Sequence, residues 1–197
     1  LGLAVAAVLN VSADHMDRHR TMAAYQQAKQ RIFRGCKKVV INRDDPMTIP
    51  LLSTDVEVVG WSMKAPEPGN FGLRHKQGVE YLCLGLEALL PVSELGLLGR
   101  HNVANALAAL ALGYSAGLSL SNMQSALRTF KGLPHRCELI ADIDGVRFVN
   151  DSKGTNVGAT EAALFGVGGD RDIVLIAGGQ GKGADFSQLQ EAVSRHC

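Results

Sequence analysis

The first residues that could do chemistry follow an apolar segment near the start of the chain. Asp14, His15 and Asp17 come directly after a candidate strand over 4–10. Ligands of open α/β sheets bind at the carboxyl ends of strands, so this position suits a site. An imidazole beside carboxylates can hold Mg²⁺, which takes few protein ligands and keeps several waters. The alternative is a polar loop that caps the next helix, and spacing alone favours it.

Lys29 is the second candidate, because it lies on a helix that we predict over 21–33. It comes four residues after Tyr25 and three before Ile32, which places the three side chains on one apolar face. Burial disfavours the charged form of a lysine, and the neutral amine is a nucleophile. Such an amine can add carbon dioxide to give a carbamate, an oxygen ligand for a metal. The alternative is a lysine whose stem packs while its ammonium group reaches water.

Two amides open an alanine-rich helix that we predict over 101–116. Asn102 and Asn105 are three residues apart and can point the same way, so paired hydrogen bonds could recognise the edge of a base. Alternatively, Asn102 is only the N-cap of the helix. Arg136 follows Gly132-Leu-Pro134, and its planar guanidinium suits a phosphate. An ordinary surface arginine beside a linker is the other interpretation.

The polar segment 150–156 lies between a predicted strand and a predicted helix. Asp151, Lys153 and Thr155 bring a carboxylate, an ammonium group and a hydroxyl to a helix N-terminus, which is a natural site for anions. A simple connecting loop explains Thr155 easily, and it explains Asp151 and Lys153 less well.

A glycine-rich loop over 177–183 carries Lys182. It is not a P-loop, because Ile176 stands where the first glycine is needed and Gly183 where Ser or Thr must follow the lysine. It is also one residue too short for the dinucleotide fingerprint. What remains is a flexible loop whose lysine could approach an anionic substrate.

These residues need rigid elements to position them, and the hydrophobic pattern predicts an α/β protein. We predict strands over 4–10, 38–42, 137–143, 146–150 and 172–177, a β-rich stretch from 56 to about 98, and helices over 21–33, 101–116, 121–130, 156–164 and 187–197. The segment 14–20 is expected to be a loop, and Asp144-Gly145 predicts a tight hairpin turn. The order of elements suggests a doubly wound domain after a boundary near 131–134.

The composition is that of a globular protein, since 46% of the 197 residues are hydrophobic and 20% are charged. A formal net charge of +1 gives no electrostatic reason to expect nucleic acid or an anionic membrane as partner. The apolar start is shorter than the ~20 residues that span a bilayer, so no membrane insertion is expected. The four scattered cysteines include no C-x-x-C pair, which argues against a zinc site. Both ends are interpreted as cuts in a longer protein.

The order of these segments along the chain resembles the Mur ligase family. The resemblance rests on Asn10…Asp14-His15-Met-Asp17, Ala28-Lys29, His101-Asn102…Asn105-Ala106, Leu133-Pro-His-Arg136, Asn150-Asp-Ser-Lys-Gly-Thr-Asn156 and Gly178-Gly-Gln-Gly-Lys182. The segments at 133–136 and 150–156 are similar to those of members that add D-glutamate. The implied fold is α/β, with 1–131 as the later part of a P-loop-type central ATP-binding domain. Residues 132–197 would begin a Rossmann-like C-terminal domain.

The resemblance also implies two cofactors, ATP and Mg²⁺, and a role for each candidate residue. His15 would bind magnesium, and Lys29 would be a carbamylated lysine that helps to hold a second magnesium ion. Asn102 and Asn105 would contact adenine. Arg136 and Asp151 would contact the phosphates and ribose of the nucleotide. Lys153, Thr155 and Lys182 would face the substrate side, where D-glutamate binds.

The implied activity is ATP-dependent amide ligation in the cytoplasm, in the peptidoglycan synthesis that serves cell shape and cell division. Its substrates would be UDP-N-acetylmuramoyl-L-alanine and D-glutamate, and the parent protein would be a monomer. The family's P-loop and magnesium-binding glutamate are absent from these residues, so the chain alone is expected to be inactive. Three alternatives stay open: a Mur-type ligase for another amino acid, a nucleotide-binding module without catalysis, and a nicotinamide-dependent dehydrogenase suggested by the loop at 177–183.

Overall fold

A computed structural model of the chain describes residues 4–12, 16–51, 55–97, 99–181 and 183–197. Three candidate site residues, Asp14, His15 and Lys182, lie outside these ranges. The chain divides into two compact units. The first comprises Leu1–Leu95 with Val103–Phe130, and the second comprises Gly96–Asn102 with Lys131–Cys197.

A six-stranded sheet forms the centre of the first unit. Its strands, in the same order in space and in sequence, are β1 (Val5–Val8), β2 (Lys38–Asn42), β3 (Glu57–Trp61), β4 (Phe71–Lys76), β5 (Val79–Leu84) and β6 (Glu87–Pro91). Strands β1, β2 and β3 are parallel, and the single pair Trp61↔Phe71 joins β3 to β4. Strands β4, β5 and β6 pair antiparallel. The sheet therefore joins a parallel half, whose strands need crossover connections, to an antiparallel meander.

Helices and short 3₁₀ turns connect and cover these strands. Their bounds are α1 (Met16–His19), α2 (Met22–Gln30), α3 (Arg100–Ser115) and α4 (Leu120–Thr129), with 3₁₀ turns at Arg31–Phe33, Pro46–Thr48 and Val92–Glu94. Thr21 caps α2 by accepting a hydrogen bond from Ala24 N at 3.2 Å. Among the described residues, no helix has the length and apolar character needed to cross a membrane.

The central strand β2 shows why both faces of the parallel half are buried. Val40 belongs to a core cluster that includes Leu107 and Leu110 of α3. Its neighbours Val39 and Ile41 belong to a second cluster on the other face. A continuous apolar run is typical of a strand that is covered on both faces. The α/β fold class predicted from the sequence is thus confirmed.

The second unit contains a hairpin and helices. Strands β7 (Glu138–Ile143) and β8 (Val146–Asn150) pair antiparallel, with Glu138 opposite Asn150, and are followed by α5 (Val157–Val167), a 3₁₀ turn at Phe186–Leu189 and α6 (Gln190–His196). Asp144 and Gly145 at the turn have φ of 51° and 82°. Two successive positive φ values define a type I′ turn, which matches the twist of the strands. The predicted hairpin is confirmed.

The strand predicted over 172–177 is wrong. The segment forms no strand in the described chain, and the side chains of Val174 and Ile176 are 90% and 94% exposed. A strand needs a partner for its backbone groups, and in this unit β7 and β8 pair with each other. The dehydrogenase alternative required the glycine loop to follow a parallel strand, so it loses its basis.

Two helical predictions also need correction. Met16–His19 is a short helix within the segment 14–20 that was expected to be a loop. The apolar face expected on the helix over 21–33 is only partly buried: Met22 and Tyr25 pack against the second core cluster, whereas Ile32 is 43% exposed. The residues that enter the core come later, at Phe33 and Cys36.

Candidate functional site

Two loops of the second unit meet at the open end of the hairpin. One precedes β7 and carries Arg136, and the other follows β8 and carries Asp151 and Lys153. Cys137 N donates to Asp151 Oδ1 at 3.0 Å, and Lys153 N donates to the carbonyl oxygen of His135 at 3.0 Å. These two bonds lie on either side of Arg136 in the sequence. The structure therefore brings together three residues that the sequence singled out separately.

The backbone around Arg136 is strained. His135 and Cys137, its two neighbours, have φ of 66° and 45°, a left-handed conformation that residues with a Cβ rarely adopt. Such strain persists only where surrounding contacts hold it, and it is concentrated at functional sites. The Arg136 side chain itself is exposed. The loop thus fixes the main chain and leaves the guanidinium available to a ligand.

Asn150 and His135 strengthen the junction between the two loops. Asn150 Nδ2 lies 2.9 Å from His135 Nδ1, and Asn150 Oδ1 accepts from Ser152 N at 3.0 Å. His135 N in turn donates to Glu138 Oε2 at 2.8 Å. Neither Asn150 nor His135 was given a role by the sequence analysis, although both lie within the segments that carry the family resemblance.

The two oxygens of Asp151 have different surroundings. Its Oδ1 accepts from Cys137 N, and its own backbone carbonyl accepts from Gly154 N at 2.8 Å. A Cβ at position 154 would collide with Asp151 Oδ2. Glycine at position 154 therefore leaves room for Oδ2 beside the turn.

The electrostatics of this junction centre on Asp151. Burial, then the Asp151 charge and a hydrogen bond to that carboxylate, raise the pKa of Cys137 to about 11. The thiol therefore remains neutral at physiological pH and presents no second negative charge to a bound anion. Burial lowers the pKa of His101, although Asp151 and a hydrogen bond to the Ala162 backbone oppose that shift. The imidazole is thus neutral as well.

Lys153 and Thr155 present exposed side chains just before α5. Asn156 caps this helix, since its Oδ1 accepts from Ala159 N at 2.8 Å. The positive end of a helix dipole and free N–H groups favour an anion at this position. Two cations, Arg136 and Lys153, are therefore placed beside a helix N-terminus, which is an arrangement suited to phosphate or carboxylate.

Asn102 and Asn105 lie one turn apart on α3. Asn102 is the third residue of the helix, so the alternative that it acts only as the N-cap is wrong. Its backbone N–H donates to Gly99 O at 3.0 Å. Asn102 is half-buried and Asn105 is exposed. Their spacing allows both amides to face one ligand.

The start of α3 packs tightly within the second unit. The His101 ring lies so close to Gly99 and Gly166 that a Cβ on Gly99 would be 2.9 Å from its Cε1, and a Cβ on Gly166 would overlap Nδ1. Gly99 has a φ of +94°, which also favours glycine. Two glycines therefore admit the imidazole and fix the turn that precedes Asn102.

In the first unit, polar side chains gather at the carboxyl ends of β1 and β2. Asn42 Nδ2 donates to Leu9 O at 2.9 Å, and Asp45 Oδ2 accepts from Val11 N at 2.8 Å. Asp45 Oδ1 accepts from Met47 N at 3.0 Å. These bonds fix the chain just after β1. Sequence reasoning treated Asp45 only as the end of a strand and missed this function.

Lys29 is half-buried on α2, and its Nζ lies 4.8 Å from the centroid of the Tyr25 ring. The Tyr25 ring in turn lies 5.0 Å from that of His19. A lysine head group over an aromatic face makes a favourable cation–π contact. Conversion to a carbamate would be needed before Lys29 could offer oxygen to Mg²⁺. Within the described ranges, no group of three His, Cys, Asp or Glu residues could hold a metal.

Comparison with known proteins identifies the family. The family described as "Mur ligase middle domain" matches residues 1–113 of the chain. The chain belongs to the Mur ligase family. It is 53% identical, over 194 residues, to the UDP-N-acetylmuramoylalanine–D-glutamate ligase of Legionella pneumophila (strain Paris). That match covers 96% of this chain and 43% of the relative, so the chain spans less than half the length of this Mur ligase.

Solved Mur ligases share the fold. MurF from Acinetobacter baumannii matches 81% of this chain and 36% of its own, with a TM-score of 0.67 and 21% identity. The MurF ligase from Thermotoga maritima, solved in complex with ADP, matches 79% of this chain and 36% of its own, with a TM-score of 0.57 and 17% identity. Similarity at this level supports the α/β fold of the Mur ligase chain and does not identify its substrates.

Proposed function

We propose that this chain is part of an ATP-dependent ligase that joins D-glutamate to UDP-N-acetylmuramoyl-L-alanine in peptidoglycan synthesis. The high identity to a ligase of that name supports the substrate assignment. The observation that carries the proposal is the pair of hydrogen-bonded loops that gathers Arg136, Asp151 and Lys153 beside the N-terminus of α5. A scaffold without catalysis has no need for this set of exposed charges on a strained backbone.

We propose that four residues serve the nucleotide. The Arg136 guanidinium is exposed and would donate to phosphate oxygens. Asp151 Oδ2, for which Gly154 leaves room, would accept a hydrogen bond from a ribose hydroxyl. Asn102 and Asn105, one turn apart on α3, would pair with the edge of adenine.

The substrate side would use Lys153, Thr155 and Lys182. The proposed reaction transfers the γ-phosphoryl group to the carboxylate of UDP-N-acetylmuramoyl-L-alanine. The amine of D-glutamate then forms the amide bond as phosphate leaves and the amine loses a proton. The Lys153 ammonium would bind a carboxylate of D-glutamate and offset the negative charge that develops on the reacting carbonyl.

Mg²⁺ would be held by His15 and by Lys29 in its carbamylated form, and when bound it would neutralise charge on the phosphates. Lys29 fits this role only as a carbamate, because an unmodified lysine offers no oxygen to Mg²⁺. Carbamylation of the neutral amine would form an N–C bond to carbon dioxide and release one proton.

We further propose that 1–131 form the later part of a central ATP-binding domain and 132–197 the start of a C-terminal domain. The two compact units, which separate at Lys131 apart from the short segment Gly96–Asn102, are compatible with this division. The parent enzyme would act in the cytoplasm as a monomer, without nucleic acid as a partner.

The test is phosphate release by the full-length protein that contains this chain. The protein is given ATP, Mg²⁺ and UDP-N-acetylmuramoyl-L-alanine, together with one of several amino acids. Release that requires D-glutamate is expected. Lys153→Ala should lower kcat on the order of 10²-fold, because one charge-stabilising group is lost. Lys131→Ala, which removes another exposed lysine, is the matched control and should retain activity.

Each outcome decides between the alternatives. Release that requires a different amino acid would keep the ligase and reject the D-glutamate assignment. No release with any amino acid, from a protein that binds ATP, would favour a nucleotide-binding module. Equal losses of kcat in Lys153→Ala and Lys131→Ala would mean that Lys153 has no specific role in the site.

A further inference from the structure

Charge is distributed very unevenly along this chain. Residues 18–43 contain eight Lys or Arg residues and no Asp or Glu. The rest of the chain holds the other 12 basic residues and all 19 acidic residues, so its net charge is negative. The overall charge of +1 therefore conceals a strongly basic segment, and the sequence analysis, which used only the total, missed it.

Part of this positive charge is unpaired at the surface. Lys38 pairs with Glu57 at 3.1 Å, and Arg43 pairs with Glu67 at 3.0 Å. By contrast, the side chains of three cations that follow α2 are exposed and form no ion pair with any described residue: Arg31, Arg34 and Lys37. We call these three residues and Ile32 the basic face.

The basic face is continuous. Arg34 lines two shallow depressions, one of about 370 Å³ shared with Arg31 and one of about 620 Å³ shared with Lys37 and Leu51. Among the described residues that line them, Asp55 is the only acidic one. The cations therefore act on a single stretch of surface.

Aliphatic side chains accompany the cations. Ile32 is 43% exposed, and Leu51 is fully exposed. The basic face ends where β2 begins at Lys38, whereas the polar residues that fix the chain after β1 lie at the opposite, carboxyl end of the strands. A ligand on the basic face would therefore leave that carboxyl edge free.

Unpaired cations resist burial against another protein core, because an isolated charge loses its hydration there. They are stable in water or against an anionic surface. Cations interspersed with exposed aliphatic side chains are typical of proteins that lie in the headgroup region of a bilayer. Nucleic acid or an acidic protein would use the cations but would leave the aliphatic side chains without a role. We propose that the basic face docks this protein on an anionic lipid surface, without insertion of a spanning helix.

The test is sedimentation of the full-length protein with vesicles of phosphatidylcholine alone or mixed with phosphatidylglycerol. Binding is expected only to the anionic vesicles and should weaken as salt is raised, because salt screens exposed charges. The triple change Arg31→Glu, Arg34→Glu and Lys37→Glu should weaken binding at least tenfold. The control changes three other exposed cations, Lys76→Glu, Arg147→Glu and Arg171→Glu, and should bind like the unchanged protein.

Three outcomes would overturn the proposal: no binding to anionic vesicles, equal binding to neutral vesicles, or the same loss in both triple variants. Binding of an acidic polypeptide such as polyglutamate in preference to anionic vesicles would also reject it. Ligase activity of the basic-face variant in the absence of vesicles should be unchanged. Loss of vesicle binding with retained activity would therefore separate this proposal from the catalytic one.

Discussion

The turn after β2 and the loop after β8 use their polar side chains differently. After β2, the side chains of Asn42 and Asp45 bond to backbone atoms of neighbouring segments. After β8, Asn150 and Asp151 also bond through their side chains, and Lys153 N and Gly154 N add backbone bonds, while Lys153 and Thr155 expose their side chains. Both loops follow a strand, and both are rich in Asn and Asp.

The contrast separates residues that build a site from residues that act in it. A side chain whose acceptor atoms all satisfy backbone groups, like that of Asp45, stabilises the fold and has little capacity left for a ligand. A loop that is held by such bonds can present the charges of its other side chains at a defined place. Asp151 would combine the two functions, since Oδ1 holds Cys137 N and Oδ2 is the oxygen proposed for the nucleotide.

The largest effect is expected from Asp151→Ala. The change removes the acceptor of Cys137 N and the oxygen proposed for the nucleotide, so kcat/KM of the full-length protein should fall about 10³-fold. Asp151→Asn keeps a hydrogen-bond acceptor for Cys137 N but removes the charge. Comparing the two variants therefore separates the effect of the charge from the effect of the loop geometry. Wild-type activity in Asp151→Ala would show that the loop after β8 is as purely structural as the turn after β2.

Asp45→Ala should act mainly on stability. It leaves Val11 N and Met47 N without their charged acceptor, which should lower the free energy of unfolding by about 2–4 kcal/mol. Thermal unfolding measures the change, with the exposed Asp170→Ala as control. A normal melting temperature together with a large loss of activity would mean that Asp45 acts in the site and does not mainly stabilise the fold.

Gly166→Ala tests the packing of His101. The added methyl group would overlap the imidazole, and the required shift should cost about 1–3 kcal/mol. Gly178→Ala is the control, since no atom lies within 4 Å of the added carbon. Equal melting temperatures for the two variants would mean that the start of α3 is not held as described.

The smallest effect concerns the Cys137 thiol. Its pKa of about 11 exceeds the usual 9.0, so the folded state favours the protonated thiol. The stability that this provides is complete below pH 9 and is lost as pH rises towards 11. Alkylation requires the thiolate, so Cys137 should react more slowly at pH 8 than the exposed Cys197. Asp151→Asn should speed its labelling; an unchanged rate would argue against the Asp151 contribution.

Local patterns predicted much of the fold. β2 was predicted with its observed bounds because a continuous apolar run is ended by Asp44-Asp45-Pro46. The hairpin followed from Asp144-Gly145, whose turn needs two positive φ values. The segment 172–177 has an equally apolar pattern but forms no strand, because pairing depends on a neighbour that no local pattern specifies.

The candidate site was less predictable. Asp151 and Lys153 stood out as charges before a helix, yet Asn150 and His135 act through a contact across the hairpin that spacing does not show. The closeness of Arg136 to Asp151 depends on the register of β7 and β8. His15 and Lys182, outside the described residues, remain predictions from the resemblance alone.

The type I′ turn has a consequence for the order of folding. The hairpin register pairs Glu138 with Asn150, so closing a two-residue turn brings the strand ends next to Arg136 and Asp151 together. Isolated hairpins form within about 1–10 μs, far faster than typical domain assembly. This half of the proposed nucleotide site can therefore begin to assemble from contacts within 20 residues of sequence, before the large sheet is complete. An insertion at the turn would delay that early step and displace the two loops together.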